Sequence, residues 1–359
     1  MFLYNLQNKY LRKIYIFFWV LFIFLITFST KITYAKTYNV ENIEIIEPYD
    51  LNFKKSGVTD QAFLKAFDIL LSKILLSKDN FNFNKNDLNL IKPMIESFSI
   101  TDEKFIENKY HATFNVLFEK KEILKFLSTR NIVSSIPENK KILFIPIFVD
   151  LLKDELLMFN ENIFYSDWNR EKKMFYLLEY FLPTEDLEDF NIINKQKINI
   201  ENYDFKELLK KYDMNDYIIS IFFKDDKNLK ILSKINFNSI KPTVISNIYD
   251  LNILENQNQI IINDLKLNFE DEWKKNNQIN TSIKLSLTIA VKSNNIELIN
   301  RFEDELTRSD LVYDFYIEKI TNKNSIYKIV YNNSPDKFLK NFREKNFDVD
   351  ISNKVWLIK

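Results

Sequence analysis

Between Ile283 and Val291 the chain alternates, with Ile283, Leu285, Leu287, Ile289 and Val291 on one side and polar residues mostly between them. A period of two predicts a strand. Over Ile296–Arg308 the period lengthens, and Ile299, Phe302 and Leu306 recur at three and four, the spacing of a helix face. Val312–Ile320 and Ser325–Tyr331 return to strand character around the glycine-free turn Thr321–Asn324. Ser334-Pro335 then opens a helix through Phe338, Leu339 and Phe342, with serine as cap and proline at its first position. Phe347–Ile358 is expected to close as a strand. Strand–helix–strand–strand–helix–strand is the split βαβ order, so residues 281–359 are expected to form a ferredoxin-like (βαββαβ) domain.

The same periods divide the preceding chain into two blocks. In residues 37–135, Tyr38, Val40, Ile43 and Ile45 predict a strand. Residues 60–77 predict a helix that buries Phe63, Ala66, Phe67, Leu70 and Ile74, with Asp60 as its cap. A shorter helix is expected over Asn86–Ile95, then a hairpin of Ser97–Lys104 and Tyr110–Phe118, then a helix over 119–129. In residues 139–280, KILFIPIFVD is almost uninterruptedly apolar, as a strand covered on both faces should be. Helices are expected over Asp167–Tyr180, Tyr203–Tyr212 and Asp264–Lys275, and strands over Tyr217–Phe223, Leu229–Phe237 and Thr243–Leu251. The expected fold class is α+β, built as tandem small α/β modules.

The N-terminus has a different pattern. Lys9, Arg12 and Lys13 precede an apolar run, Ile14–Phe28, and Thr33 and Ala35 sit at the −3 and −1 positions of a cleavage site before Lys36. A basic start, an apolar core and a small-residue exit make residues 1–35 a signal peptide or an N-terminal membrane anchor. The expected location is therefore the periplasm, with a tether in the inner membrane through residues 14–28 if the leader is retained. Loss of the leader removes Lys9, Arg12, Lys13 and Lys31 and no acid, leaving a mildly acidic body with no electrostatic pull toward nucleic acid.

Composition narrows the chemistry. With no Cys, one His and one Gly, the chain excludes disulfides, thiol catalysis, multi-histidine metal sites and glycine-rich phosphate loops. The abundance of Phe, Tyr, Lys and Asn reads as the codon bias of an AT-rich genome. In such a chain Asn stands in for Gly in turns, as at Asn294-Asn295 and Asn332-Asn333.

An amphipathic helix, then SFSITDEKFIENKYHATFNVLFEKKEILKFL, then KILFIPIFVD is an order that resembles the exported proteobacterial family catalogued as domain of unknown function 2066. The matching residues are Asp102-Glu103, Tyr110-His111-Ala112, Pro146, Trp168 and Trp356. The resemblance implies an envelope location and a fold, and no chemistry.

Candidate chemistry is sparse. His111 could act as a base or proton switch, but it stands alone and reads as a solvent-facing strand residue. Glu185, Asp186, Glu188 and Asp189 could supply calcium oxygens, yet Pro183-Thr184 followed by acids is also a helix start with Thr184 as cap. Asp213, Asp216, Asp225 and Asp226 flank one strand and could pair as acid and base; as turn residues they need no such role. Asp102-Glu103 reads as a hairpin turn, and Trp168, Trp273 and Trp356 as core or interface anchors. Lys120-Lys121 and Lys172-Lys173 read as solvated helix faces. No catalytic, cofactor or metal residue is assigned. The expected function is a non-catalytic envelope scaffold or interaction protein with an unknown envelope partner. The alternatives are a small-ligand module with an aromatic pocket between the second and third blocks, and a carboxylate hydrolase.

Overall fold

A computed structural model describes residues 37–80, 87–237, 242–251, 258–279, 284–309, 312–332 and 334–358. The leader, with its proposed tether at 14–28, lies outside the described residues, as does Asn333. No helix among the described residues is long and apolar enough to cross a membrane.

The first sheet has the order β1–β3–β2, from β1 (Thr37–Pro48), β2 (Ile95–Ile106) and β3 (Lys109–Glu119), all antiparallel. Helix α1 (Lys55–Ile74) covers one face, burying Phe63, Ala66, Phe67, Leu70 and Ile74 against Phe114, Val116 and Phe118. It starts five residues before the expected cap, so Asp60 lies inside the helix and pairs with Lys92 at 2.7 Å. The helix expected over 86–95 is only one turn, Leu88–Ile91, followed by a 3-10 turn at Lys92–Met94. Pro93 supplies no N–H to carry an α-helix onward. The β2–β3 hairpin turns at Glu107 and Asn108, both with positive φ (52° and 58°), so Asp102 and Glu103 lie within β2 instead of in the turn. Two successive left-handed residues give a turn whose twist matches the strands. Helix α2 (Lys120–Ser128) closes this layer.

Strands β4 (Ser134–Ser135) and β11 (Gln278–Ile279) pair with each other and bracket a second, larger sheet. That sheet runs β10–β9–β8–β5–β6, with β5 (Lys140–Asp150), β6 (Glu155–Leu157), β8 (Tyr217–Lys224), β9 (Asn228–Asn236) and β10 (Thr243–Asp250); β7 (Leu178–Phe181) also pairs with β5. Ile142 and Phe144 of β5 face one core, while Leu143, Ile145, Ile147 and Val149 face another. This two-sided burial is the reason the strand is apolar throughout. Pro146 falls between the stretch of β5 paired with β7 and the stretch paired with β6, and its carbonyl accepts from Asn162 Nδ2 at 3.1 Å. A residue without an N–H fits such a gap. Helix α5 (Asn258–Asn276) lies on the first face; α3 (Leu187–Lys195) and α4 (Lys206–Tyr212) contribute Ile193 and Leu208 to the core on the other.

The helix expected over Asp167–Tyr180 does not form. One turn, Ile163–Ser166, gives way to turns and then to β7, parallel to β5. Residues 169–172 bring no apolar side chain to bury, whereas Leu178 and Tyr180 are buried and Glu179 and Phe181 are exposed, a strand period.

The third sheet runs β13–β14–β12–β16–β15, with β12 (Lys284–Lys292), β13 (Val312–Ile320), β14 (Asn324–Asn332), β15 (Val349–Asp350) and β16 (Trp356–Ile358). Helices α6 (Ile296–Arg308) and α7 (Pro335–Glu344) bring Phe302, Phe338 and Phe342 into one core. The segment Phe347–Ile358 is not the single strand expected. Asp350 accepts from Ser352 N at 3.0 Å and turns the chain, so β15 and β16 form a small hairpin whose inner member runs parallel to β12. Asn295 caps α6 by accepting from Leu298 N at 3.0 Å, whereas Asn42, Asn108, Asn131 and Asn346 adopt positive φ.

Residues Thr37–Lys359 form one unit. The joints cluster at the C-terminal end of α5: Lys274 Nζ donates to Ser72 O at 2.7 Å, Asp271 accepts from Ser77 N at 2.9 Å, and Lys337 Nζ donates to Asn276 O at 3.2 Å. Ser135 Oγ adds a bond to Ile74 O at 3.0 Å.

Candidate functional site

The residues singled out by sequence are scattered. His111 is half-exposed on β3, in register with Ile46 and Lys104, on the face opposite Phe114. Asp186, not Thr184, caps α3, accepting from Glu188 N (2.8 Å) and Asp189 N (3.1 Å). Lys211 Nζ at 2.7 Å and those amides hold the Asp186 carboxyl below its ordinary range. Asp189, 2 % exposed, takes Lys211 at 2.8 Å and the Tyr212 hydroxyl, while Glu185 accepts from Asn160. The acidic cluster is thus a helix start, with three of its four carboxylates around Lys211. Among the described residues no three His, Asp or Glu side chains are placed to hold a metal ion.

Asp213 ends α4 in a left-handed conformation, and Asp216 pairs with Lys140 at 2.5 Å. Asp225 accepts from Lys227 N and Asn228 N in the β8–β9 turn beside exposed Asp226. These two pairs sit at opposite ends of β8, about 25 Å apart at the usual rise per residue, too far for a shared acid–base reaction. Glu103 bonds Lys55 (2.8 Å) and the Tyr110 hydroxyl (2.9 Å). Lys120 is buried with its ammonium 5.2 Å from the Tyr38 ring, so it is not the solvated residue expected; Lys121 is exposed. Lys172 and Lys173 lie outside any helix. Trp273 Nε1 donates to Glu138 O at 2.7 Å, and Trp356 packs partly buried against the third core.

What sequence reasoning missed lies on α5. Beside the expected stripe of Leu265, Phe269 and Trp273 runs a second one, Lys266, Glu270 and Lys274, at four-residue spacing and also buried. Each charge is spent on backbone. Glu270 accepts from Leu177 N (3.0 Å) and Leu178 N (2.8 Å), which anchors the start of β7. Lys266 Nζ donates to Glu171 O at 3.0 Å and lies 5.5–5.8 Å from the ring centroids of Tyr176, Trp168 and Tyr180. Burial lowers the Lys266 ammonium to about 8 and raises the Glu270 carboxyl to about 7. The only sequence signal was the repeat of charges at i, i+4 and i+8 directly beside an apolar stripe.

A pocket of about 150 Å³ opens between α5, β7 and the segment before it, lined by Tyr176, Tyr180, Lys266, Asn169, Glu171 and Glu179 among others. This aromatic pocket lies within the second block. Trp168 Nε1 and Tyr180 Oη, both buried beside Lys266, find no hydrogen-bond partner among the described residues.

The sheet edges form the other candidate surface. β1 carries a bulge at Val40/Ile43 together with Glu41, Glu44 and Glu47. β2 and β13 each carry two bulges and charges along their length. Such features blunt an edge against further pairing. β10 differs: its register with β9 is unbroken, its one charge is Asp250 at the end, and Val244 and Ile248 are 56 % and 69 % exposed. No strand among the described residues pairs with its outer edge. A search of protein-family models finds no match to the chain, and a search of curated proteins finds no relative.

Proposed function

We propose that the chain is an exported, non-catalytic protein of the cell envelope that acts by accepting an extended segment of a partner protein on the outer edge of β10. The observation that carries this reading is the contrast among the edges: β1, β2 and β13 are bulged and charged along their length, and β10 is regular, uncharged from Thr243 to Tyr249, and exposes Val244 and Ile248. An open edge of that kind pairs with whatever strand is offered, so an unblunted one is an interface. Main-chain bonds along eight residues supply affinity, and side chains contacting Val244 and Ile248 supply selectivity. The basic-apolar leader and the resemblance to the exported family 2066 support the envelope location. The same reading takes the body as tandem α/β modules. The last is a ferredoxin-like variant in which the closing strand has become the β15–β16 hairpin.

The test is photo-crosslinking in the living cell from a probe amino acid placed at Val244. The reading predicts a discrete adduct that forms outside the inner membrane and vanishes when Ile248→Lys puts a charge on the edge. Equal adducts from a probe at Tyr316 on β13, or none from Val244, would count against it.

A further inference from the structure

The first strand an open edge meets is its own copy, so edges that must stay single carry charges or bulges against self-pairing. β10 carries neither between Thr243 and Tyr249. The lysines beside it on β9 are already engaged: Lys230, in register with Ile248, pairs with Glu201 at 3.2 Å, and Lys234, in register with Val244, donates to Tyr203 O at 3.0 Å. The sequence of β10 is also self-complementary about Ser246. Antiparallel pairing centred there sets Val244 against Ile248 of the second copy, and Ile248 against its Val244, with Ser246 facing itself. Asp250 then falls opposite Pro242, at the end of the ladder. A centre at Asn247 would instead set Val244 against Asp250 and Ile248 against Ser246, losing both apolar pairs. A second observation lies on α5. Tyr249 of β10 donates its hydroxyl to Asp264, which places the Ile260–Asp264 flank of the helix on the β10 side, and Ile260 there is exposed. The two-fold axis of an antiparallel pair is perpendicular to the sheet, so pairing brings both α5 helices to one side of the joint sheet with these flanks turned toward each other.

We propose that the strand β10 accepts is β10 of a second copy of this chain, in the register centred on Ser246, so that the second sheets of two molecules join into one continuous sheet. This rests on the reading of β10 as an accepting edge and identifies its partner. Both molecules contribute the same interface, Val244 and Ile248 on one face of the joint sheet and Ile260 in the helix layer on the other, and no like charges meet between Thr243 and Tyr249.

The experiment is analytical sedimentation of the purified full chain in mild detergent, joined to cysteine crosslinking. The chain should sediment as a dimer, and Ile248→Lys should weaken it about tenfold or more, since each dimer then carries two charges against Val244. The natural chain contains no cysteine, so an introduced one reports its own neighbours alone. On oxidation Ser246→Cys should form a disulfide dimer, because a residue on the two-fold axis faces its own copy with Cα atoms roughly 4.5–5.5 Å apart. Val244→Cys by itself should not, being about 14 Å along the strand from its copy. An equimolar mixture of Val244→Cys and Ile248→Cys should link. A chain that sediments as a monomer, a dimer unmoved by Ile248→Lys, or Val244→Cys linking to itself as readily as Ser246→Cys would each overturn the proposal. The second copy and the edge fail separately. A Val244 photo-adduct of a mass other than twice the chain's, from a chain that sediments as a monomer, removes the second copy and leaves the edge, whereas no adduct at all removes both.

Discussion

Glu270 and Lys266, one helical turn apart, titrate in opposite senses, and both shifts come first from burial. Between the ordinary glutamate value of 4.5 and about 7, the folded chain keeps a proton that the unfolded chain has released. The stability Glu270 contributes is therefore complete below 4.5 and is lost as pH rises through 7. For Lys266 the unfolded chain holds the proton between about 8 and 10.5, so stability is lost as pH falls through that window. Denaturant titrations should show a minimum between pH 7 and 8, with limbs of order 2–3 kcal/mol toward pH 5 and pH 10. Glu270→Gln should flatten the acid limb and Lys266→Met the alkaline one; a profile unchanged by either substitution would refute the assignment. Neither residue was legible beforehand. Lys and Glu beside Leu265 and Phe269 look like the solvated flank of an amphipathic helix, and only the packing of residues 171–180 across α5 buries them. Lys120 was read as solvated on similar grounds, and it is buried with its ammonium over the Tyr38 ring.

At the scale of elements, α6 and β13 have the boundaries their periods predict: α6 has one clear apolar face, and β13 ends at the turn of residues 321–324. Segment 167–180 was misread because its aromatics lie at spacings compatible with a helix or a strand. What decides is external: Glu270 takes the amides of Leu177 and Leu178, bonds an interior helix would have kept for itself. Glu270→Ala should leave those amides unpaired, cost about 2–3 kcal/mol, and accelerate hydrogen exchange across Leu177–Phe181 ahead of the rest of the sheet. Asp102-Glu103, also read as a turn, lies within β2, whereas the strands expected at Ser97–Lys104 and Tyr110–Phe118 leave the connection where the left-handed pair Glu107-Asn108 turns the chain. A non-glycine residue pays about 1 kcal/mol or more there, so Glu107→Gly should raise the melting temperature by a few degrees. No change, or a fall, would contradict the turn.

Across the whole molecule, the three sheets were foreseeable from periodicity, since each packs helices against its own apolar face. The joints between them were not. Ser72, Ser77, Ile74 and Asn276 contribute mainly backbone groups to the contacts with Lys274, Asp271, Ser135 and Lys337, and no residue type announces a carbonyl as a partner. Asp271→Ala removes the acceptor for both Ser77 N and Ser77 Oγ. It should cost about 1–2 kcal/mol and partly uncouple unfolding of the first sheet from the second, seen as broadening of a single calorimetric transition. A sharp transition at the parental temperature would show that these contacts carry no coupling. The functional account rests on the edge of the second sheet. Its most direct test is amide hydrogen exchange over Thr243–Asp250, measured on the free chain and on the complex isolated through the Val244 crosslink. Strand addition predicts strong new protection confined to the alternate amides that point away from β9. Exchange across β10 that is the same in both samples, or protection that appears only on the β13 edge, would contradict it.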